Sequence, residues 1–130
     1  MKIIGIGVDI IQNNRIKNLL KNKKFLGRIY SDRELKLSKQ NKNKVAYFAK
    51  RFAAKEAFSK ALGTGFRSGW EFKDIEIVND KVGKPLYVKN KKIIKIVKNK
   101  FKIKNFNSFL SISDEKDYST AFTIIQSSWN

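Results

Sequence analysis

Apolar residues recur at two different spacings along the chain, and the switches between them mark out its elements. Lys2 to Asp9 alternates weakly and is rich in Ile, Val and Gly, which predicts a strand buried on at least one face with Asp9 at or near its end. Ile16, Leu19 and Leu20 fall at helical spacing behind Asn13 and Asn14, either of which can cap the helix, and K-N-K-K closes it. Phe25 to Tyr30 is a short apolar segment. Ser31 followed by Glu34 forms a capping box and predicts a helix to about Lys39, after which Q-N-K-N-K is a polar turn. The longest periodic stretch comes next, a helix from about Lys44 to Leu62 stopped by Gly63. Asp74 to Val78 and Leu86 to Val88 flank N-D-K-V-G-K-P and read as a hairpin. Lys91 to Phe101 places Ile93, Ile94, Val97 and Phe101 on one helical face and lysine over most of the other. Phe109 to Ser113 and Tyr118 to Ile125 are two further strands joined by D-E-K-D. The order has no repeated βαβ rhythm, so it predicts an α+β fold with a mainly antiparallel sheet packed against a long central helix.

Composition narrows the chemistry. At 130 residues the chain is read as a single domain, 1–130, large enough for a proper core. Cysteine and histidine are both absent, which removes disulfide scaffolds, thiol nucleophiles, zinc fingers and histidine bases. Catalysis would then fall to carboxylates, lysines, hydroxyls or a hard metal bound through oxygen. Asp9 interrupts the apolar N-terminal run and no stretch is long enough to span a bilayer, so a cytoplasmic location is expected.

Charge widens the choice of partner. Lys plus Arg number 29 against 11 Asp plus Glu, a net +18, which attracts nucleic acid, membrane surfaces, phosphorylated cofactors and acidic proteins alike. The lysines come with abundant Ile and Asn, a bias that the base composition of a coding sequence also produces. A basic nucleic-acid-binding module is the alternative function, and it predicts lysines and aromatics interleaved on one face. Here the lysines are scattered and most Phe residues sit at core spacing. Lys91 to Lys102 could lie on an anionic membrane, although a core-packed helix with a solvated basic face is the commoner arrangement.

Glu56 is the most unusual position. It falls in line with Phe52, Ala49 and Val45, so its carboxylate projects from a largely apolar stripe. A carboxylate taken out of water needs a cation beside it, and two candidates qualify: Lys60 one turn on, as an ordinary i,i+4 pair, or a metal ion. G-I-G-V-D-I lacks the third glycine of a dinucleotide fingerprint, Ile10 standing in its place, and that reading is rejected. G-T-G-F-R-S-G-W holds three glycines; it suits either a loop whose N–H groups hold phosphate oxygens or a plain turn after a helix C-cap at Gly63. Arg15, a cation in the first turn of a helix, hints at an external anion.

Four separated pieces, G-I-G-V-D-I, K-R-F-A-A-K-E-A-F-S-K-A-L-G-T-G, G-K-P and L-S-I-S-D-E-K-D-Y, stand in an order and spacing that together resemble holo-[acyl-carrier-protein] synthase, the small stand-alone class of 4'-phosphopantetheinyl transferase. The resemblance covers essentially the whole chain. Many members of the wider superfamily carry histidine after the S-x-S; Asp114 stands there, so no role of that histidine transfers.

The resemblance implies transfer of phosphopantetheine from coenzyme A to a serine of apo acyl carrier protein, within fatty acid biosynthesis. It implies Mg²⁺ held by Asp9 and Glu56, a donor set that suits a hard ion. Lys60 would stabilise or protonate the departing bisphosphate. Arg51, with the 3'-phosphate as its target, and Lys84 look like phosphate ligands, while Gly63, Thr64 and Gly65, and Gly83 and Pro85, give the nucleotide close backbone approach. The base is left open among Glu56, a coordinated water, Asp114 and Glu115. Arg15 is the expected contact for the acidic carrier protein. The resemblance further implies a homotrimer whose active sites are shared between subunits, with no role for nucleic acid or membrane.

Overall fold

A computed structural model of the chain describes residues 1–63 and 70–128. Strand β1 (Lys2–Gln12) leads into α1 (Asn13–Leu19), α2 (Lys23–Ile29), α3 (Asp32–Ser38) and the long α4 (Lys44–Leu62). A 3-10 turn (Phe72–Asp74) precedes β2 (Ile77–Asn79) and β3 (Pro85–Tyr87), and then come α5 (Lys91–Phe101), β4 (Phe106–Asp114) and β5 (Tyr118–Ser127). The strands form an antiparallel sheet in the order β1-β5-β4 and a separate β2-β3 hairpin. This is the α+β architecture that the pattern predicts. Among the described residues no helix is long and apolar enough to cross a membrane.

Helix α4 is the centre of the packing. Ala49, Ala53, Ala54, Ala57 and Ala61 are all buried, and their small side chains let the helix lie close against the sheet. Gly5 and Gly7 complete that approach from β1. A Cβ on Gly7 would stand 1.8 Å from the Ala57 carbonyl oxygen, and one on Gly5 would stand 2.3 Å from that of Ala61. The two glycines that failed as a nucleotide fingerprint are therefore the contact between strand and helix. Around α4 the core forms two clusters, one with Ile11, Ile16, Tyr30, Phe48 and Leu110, the other with Phe58, Leu62, Trp70, Phe106 and Ile125.

A buried ion pair joins the smaller elements to α4. The Ser31 capping box of α3 forms as the spacing predicts, with Ser31 Oγ accepting from Glu34 N and Glu34 Oε1 accepting from Ser31 N. The same Glu34 carboxylate, fully buried, accepts from Lys55 Nζ at 2.6 Å and from Ile77 N at 3.0 Å. Lys55 Nζ also donates to the carbonyls of Phe72 and Ile75. Every donor and acceptor around the pair is engaged, the condition under which a buried ion pair is tolerated.

Several boundaries differ from those read in the sequence. Strand β1 runs past Asp9 to Gln12, because β5 continues to pair with it as far as Tyr118. Neither Asn13 nor Asn14 caps α1, whose N-cap is Gln12 with no side-chain bond. Asn13 is buried and donates instead to the carbonyls of Glu115 and Lys116, tying down the β4-β5 turn. The Phe25–Tyr30 segment is helical as far as Ile29, starting behind an Asn22 cap that accepts from Phe25 N, and Tyr30 is extended. The residues from Phe72 to Asp74 coil as a 3-10 turn, so strand β2 begins only at Ile77.

Candidate active site

Asp9 shares a face of β1 with Gly5 and Gly7, since side chains alternate along a strand, and so it points where α4 passes closest. There its Oδ1 lies 3.2 Å from Lys60 Nζ, which also donates to the Val8 carbonyl at 3.0 Å. The Asp9 carbonyl accepts from Thr120 Oγ1 at 2.7 Å, fixing the strand beneath the carboxylate. Lys60 is thus the partner of Asp9 and not of Glu56, the pairing that helical spacing alone suggests. Lys60 projects from the edge of α4 with its side chain half exposed, and the β1 backbone supplies a second acceptor within its reach.

Glu56 is half-buried, and among the described residues no cation lies within ion-pairing distance of it. Burial raises its pKa above the usual carboxylate value and the nearby Asp9 raises it further, against the opposing charges of Lys60 and Arg15. Asp9, Lys60 and Arg15 therefore all act on Glu56. Arg15 reaches it because α1 begins directly where β1 ends. Two carboxylates with incompletely balanced charge and only oxygen donors fit a hard divalent ion such as Mg²⁺. Among the described residues no group of three or more His, Cys, Asp or Glu side chains that could hold a metal ion occurs.

A second cluster forms on another side of α4. Arg51 is buried; its Cζ lies 3.6 Å above the Tyr47 ring centroid and its Nη2 donates to Asn79 Oδ1 at 2.6 Å. Burial lowers the Arg51 pKa from its ordinary value, with Tyr47 opposing the shift. Among the described residues Arg51 Nε finds no hydrogen-bond partner. Arg51 lines a cavity of about 320 Å³ together with Lys50, Asn79, Gly83, Pro85 and Asp114. The hairpin tip owes its shape to Asp80, whose Oδ1 accepts from the N–H groups of Val82 and Lys84, and to Gly83, at φ +87°. Lys84 borders a neighbouring cavity, with Pro85, Phe109 and Phe122.

The predicted site residues thus fall into two groups. Five positions separate Arg51 from Glu56 on α4, which turns them about 140° apart around the helix and about 7.5 Å along it. Gly63 ends α4 in the left-handed conformation, at φ +78°. Thr64 and Gly65 lie outside the described residues. Sequence reasoning missed Tyr47, Lys50 and Asn79. Tyr47 stands four residues before Arg51, the spacing at which helical side chains stack, and Asn79 opens the hairpin turn already singled out.

The fold recurs in known proteins. Residues 5–123 match the profile of the 4'-phosphopantetheinyl transferase superfamily, and the chain belongs to that family. It is 60% identical over 126 residues to the holo-[acyl-carrier-protein] synthase of Pelagibacter ubique, covering 97% of this chain and 98% of that one. The crystal structure of the Neisseria meningitidis holo-[acyl-carrier-protein] synthase superposes with a TM-score of 0.85 at 41% identity, over 95% of this chain and 98% of that one. The Bacillus anthracis synthase, solved in complex with coenzyme A (3',5'-ADP), superposes at 0.81 with 38% identity, over 98% and 100% of the two chains.

Proposed function

We propose that this chain is a holo-[acyl-carrier-protein] synthase, which transfers 4'-phosphopantetheine from coenzyme A to a serine of apo acyl carrier protein and releases adenosine 3',5'-bisphosphate. The observation that carries the reading is the meeting of Asp9, Glu56 and Lys60 where β1 crosses α4. In this reaction the serine Oγ attacks the pantetheine-side phosphorus of the pyrophosphate, the bond from that phosphorus to the bridging oxygen breaks, and the bridging oxygen leaves with the bisphosphate.

Asp9 and Glu56 would hold Mg²⁺, which supplies charge neutralisation of the pyrophosphate when bound. Lys60, tethered beside Asp9, stabilises the negative charge that grows on the leaving bisphosphate. The Glu56 carboxylate would also take the serine proton, which is our assignment of the base. Arg51, in the wall of its cavity, binds the 3'-phosphate, while Gly83, Lys84 and Pro85 border the nucleotide. Arg15, exposed beside the carboxylates, docks the acidic carrier protein.

The active enzyme in this proposal is a cytoplasmic homotrimer serving fatty acid biosynthesis. Two features support the trimer. The outer face of the β1-β5-β4 sheet exposes Ile6, Val8, Ile10, Phe109 and Phe122, a patch of the kind that oligomer contacts cover. Arg51 and the carboxylates also face different directions on α4, so a coenzyme A molecule touching both would use halves from two subunits. The deciding experiment is the intact mass of an apo carrier protein incubated with this protein, Mg²⁺ and coenzyme A. Gain of one phosphopantetheine that requires all three components is expected; no gain with all three present overturns the function.

A further inference from the structure

We infer that Asn79 is a positioning residue that holds the Arg51 guanidinium and the hairpin tip in one fixed relation before any ligand arrives. An arginine on a helix is a long chain with many rotamers, and a binding partner that must freeze it loses affinity to that ordering. Arg51 is frozen in advance. The Tyr47 ring lies 3.6 Å beneath its Cζ, the Tyr47 carbonyl accepts from Nη1 at 3.3 Å, and Asn79 Oδ1 accepts from Nη2 at 2.6 Å.

The other end of the same amide reaches the hairpin. Asn79 Nδ2 donates to the Gly83 carbonyl at 2.9 Å, and Asn79 sits opposite Pro85 in the β2-β3 register. Only one orientation of the amide satisfies both contacts, with oxygen toward the guanidinium and nitrogen toward the carbonyl. Asn79 therefore spans the two walls of the Arg51 cavity, which it also lines. Its chemistry matters as well as its reach. A neutral amide oxygen fixes the guanidinium without cancelling its charge, whereas a carboxylate there would compete with an incoming anion. Among the described residues, the buried Nε finds no hydrogen-bond partner, so the two terminal nitrogens carry the preset contacts.

That the anion is the 3'-phosphate of coenzyme A rests on the proposed function; the preset geometry does not. The test follows both in the full-length protein. Nitrogen-15 NMR of the Arg51 guanidinium, assigned by its disappearance in Arg51→Gln, reads rotation about the Nη bonds directly. Restrained, separate Nη signals are expected in the parent protein and in Asn79→Asp, and averaged signals in Asn79→Ala. Identical Arg51 signals in parent and Asn79→Ala overturn the inference, and so does global unfolding of both variants, which would make Asn79 a folding residue.

Binding then reads the consequence. Calorimetry with coenzyme A and with dephospho-coenzyme A should show the preference for the 3'-phosphate falling about two- to tenfold in Asn79→Ala, the scale of immobilising one long side chain. The preference should fall in Asn79→Asp too, because of the added negative charge, although Arg51 stays restrained. An equal loss for both ligands in Asn79→Ala would make the role general to the hairpin and overturn the coupling through Arg51. If Arg51→Gln keeps the full preference while Arg51 averages in Asn79→Ala, the phosphate assignment fails and the positioning role stands.

Discussion

Lys60 and Glu56 are one helical turn apart, yet their surroundings set them different tasks. Lys60 is half exposed and bonded to Asp9 and to the Val8 carbonyl, so its loss removes little packing. Lys60→Met should lower kcat about 10²- to 10³-fold with Mg²⁺ and coenzyme A saturating, the usual effect of one lost transition-state charge contact, and leave the melting temperature near that of the parent. Near-parental kcat would return Lys60 to a purely structural role. Glu56 differs because burial and Asp9 raise its pKa. The folded chain then binds that proton more tightly than the unfolded chain, so Glu56 contributes stability below about pH 4.5 and loses it as pH rises through the folded value. Melting curves without divalent cation should therefore show Glu56→Gln gaining stability relative to the parent as pH goes from acidic to neutral. A constant difference across that range would mean the charge is compensated.

Between elements, small side chains and buried charges act where local pattern gives no sign of them. Gly7→Ala drives a methyl into the Ala57 carbonyl, a backbone atom that cannot rotate away. Urea melts should show a loss of at least about 1–3 kcal/mol, the ordinary range for overpacking, and activity should fall further as α4 moves off Asp9. Lys55→Met leaves Glu34 charged in the core without its partner, and a loss of about 3–5 kcal/mol is expected by the same measurement. Replacing both members would not rescue the protein, because the pair also serves the N–H of Ile77 and the carbonyls of Phe72 and Ile75.

These cases also mark what was legible in the sequence. The length of α4 could be read, since a sustained helical period meets a glycine that takes the left-handed C-cap. The capping box of Ser31 and Glu34 could be read because it is local. That Glu34 reaches across to Lys55 and Ile77 could not, for those residues stand 21 and 43 positions further on. Asn13 shows the same competition from the other side: its propensity to cap was sound, but carbonyls more than a hundred residues away outbid the helix. The resemblance singled out Asp9, Glu56, Lys60 and Arg51, and it carried no information on the Tyr47 and Asn79 contacts that fix Arg51.

For the molecule as a whole, the same face of α4 cannot serve both clusters. The lysine-rich surface gives a net +18 that draws acidic proteins from a distance, but in the proposed reaction the chemistry would depend on where the two clusters meet. In the proposed trimer, the carboxylates of one subunit work with the Arg51 cavity of its neighbour. Defects in the two clusters then belong to different partners and complement each other. Glu56→Gln and Arg51→Gln chains, each impaired alone, should regain activity when unfolded together and refolded as a mixture, since about a quarter of the interfaces in a random assembly join two intact halves. The recovered rate should peak at equal amounts of the two chains and vanish when either is omitted. A mixture no more active than its components would put the whole reaction within one subunit. If the proposed trimer forms, two side chains turned about 140° apart on one helix would make activity a shared property of the assembly, passed between copies as a trait passes between two defective genomes in one cell.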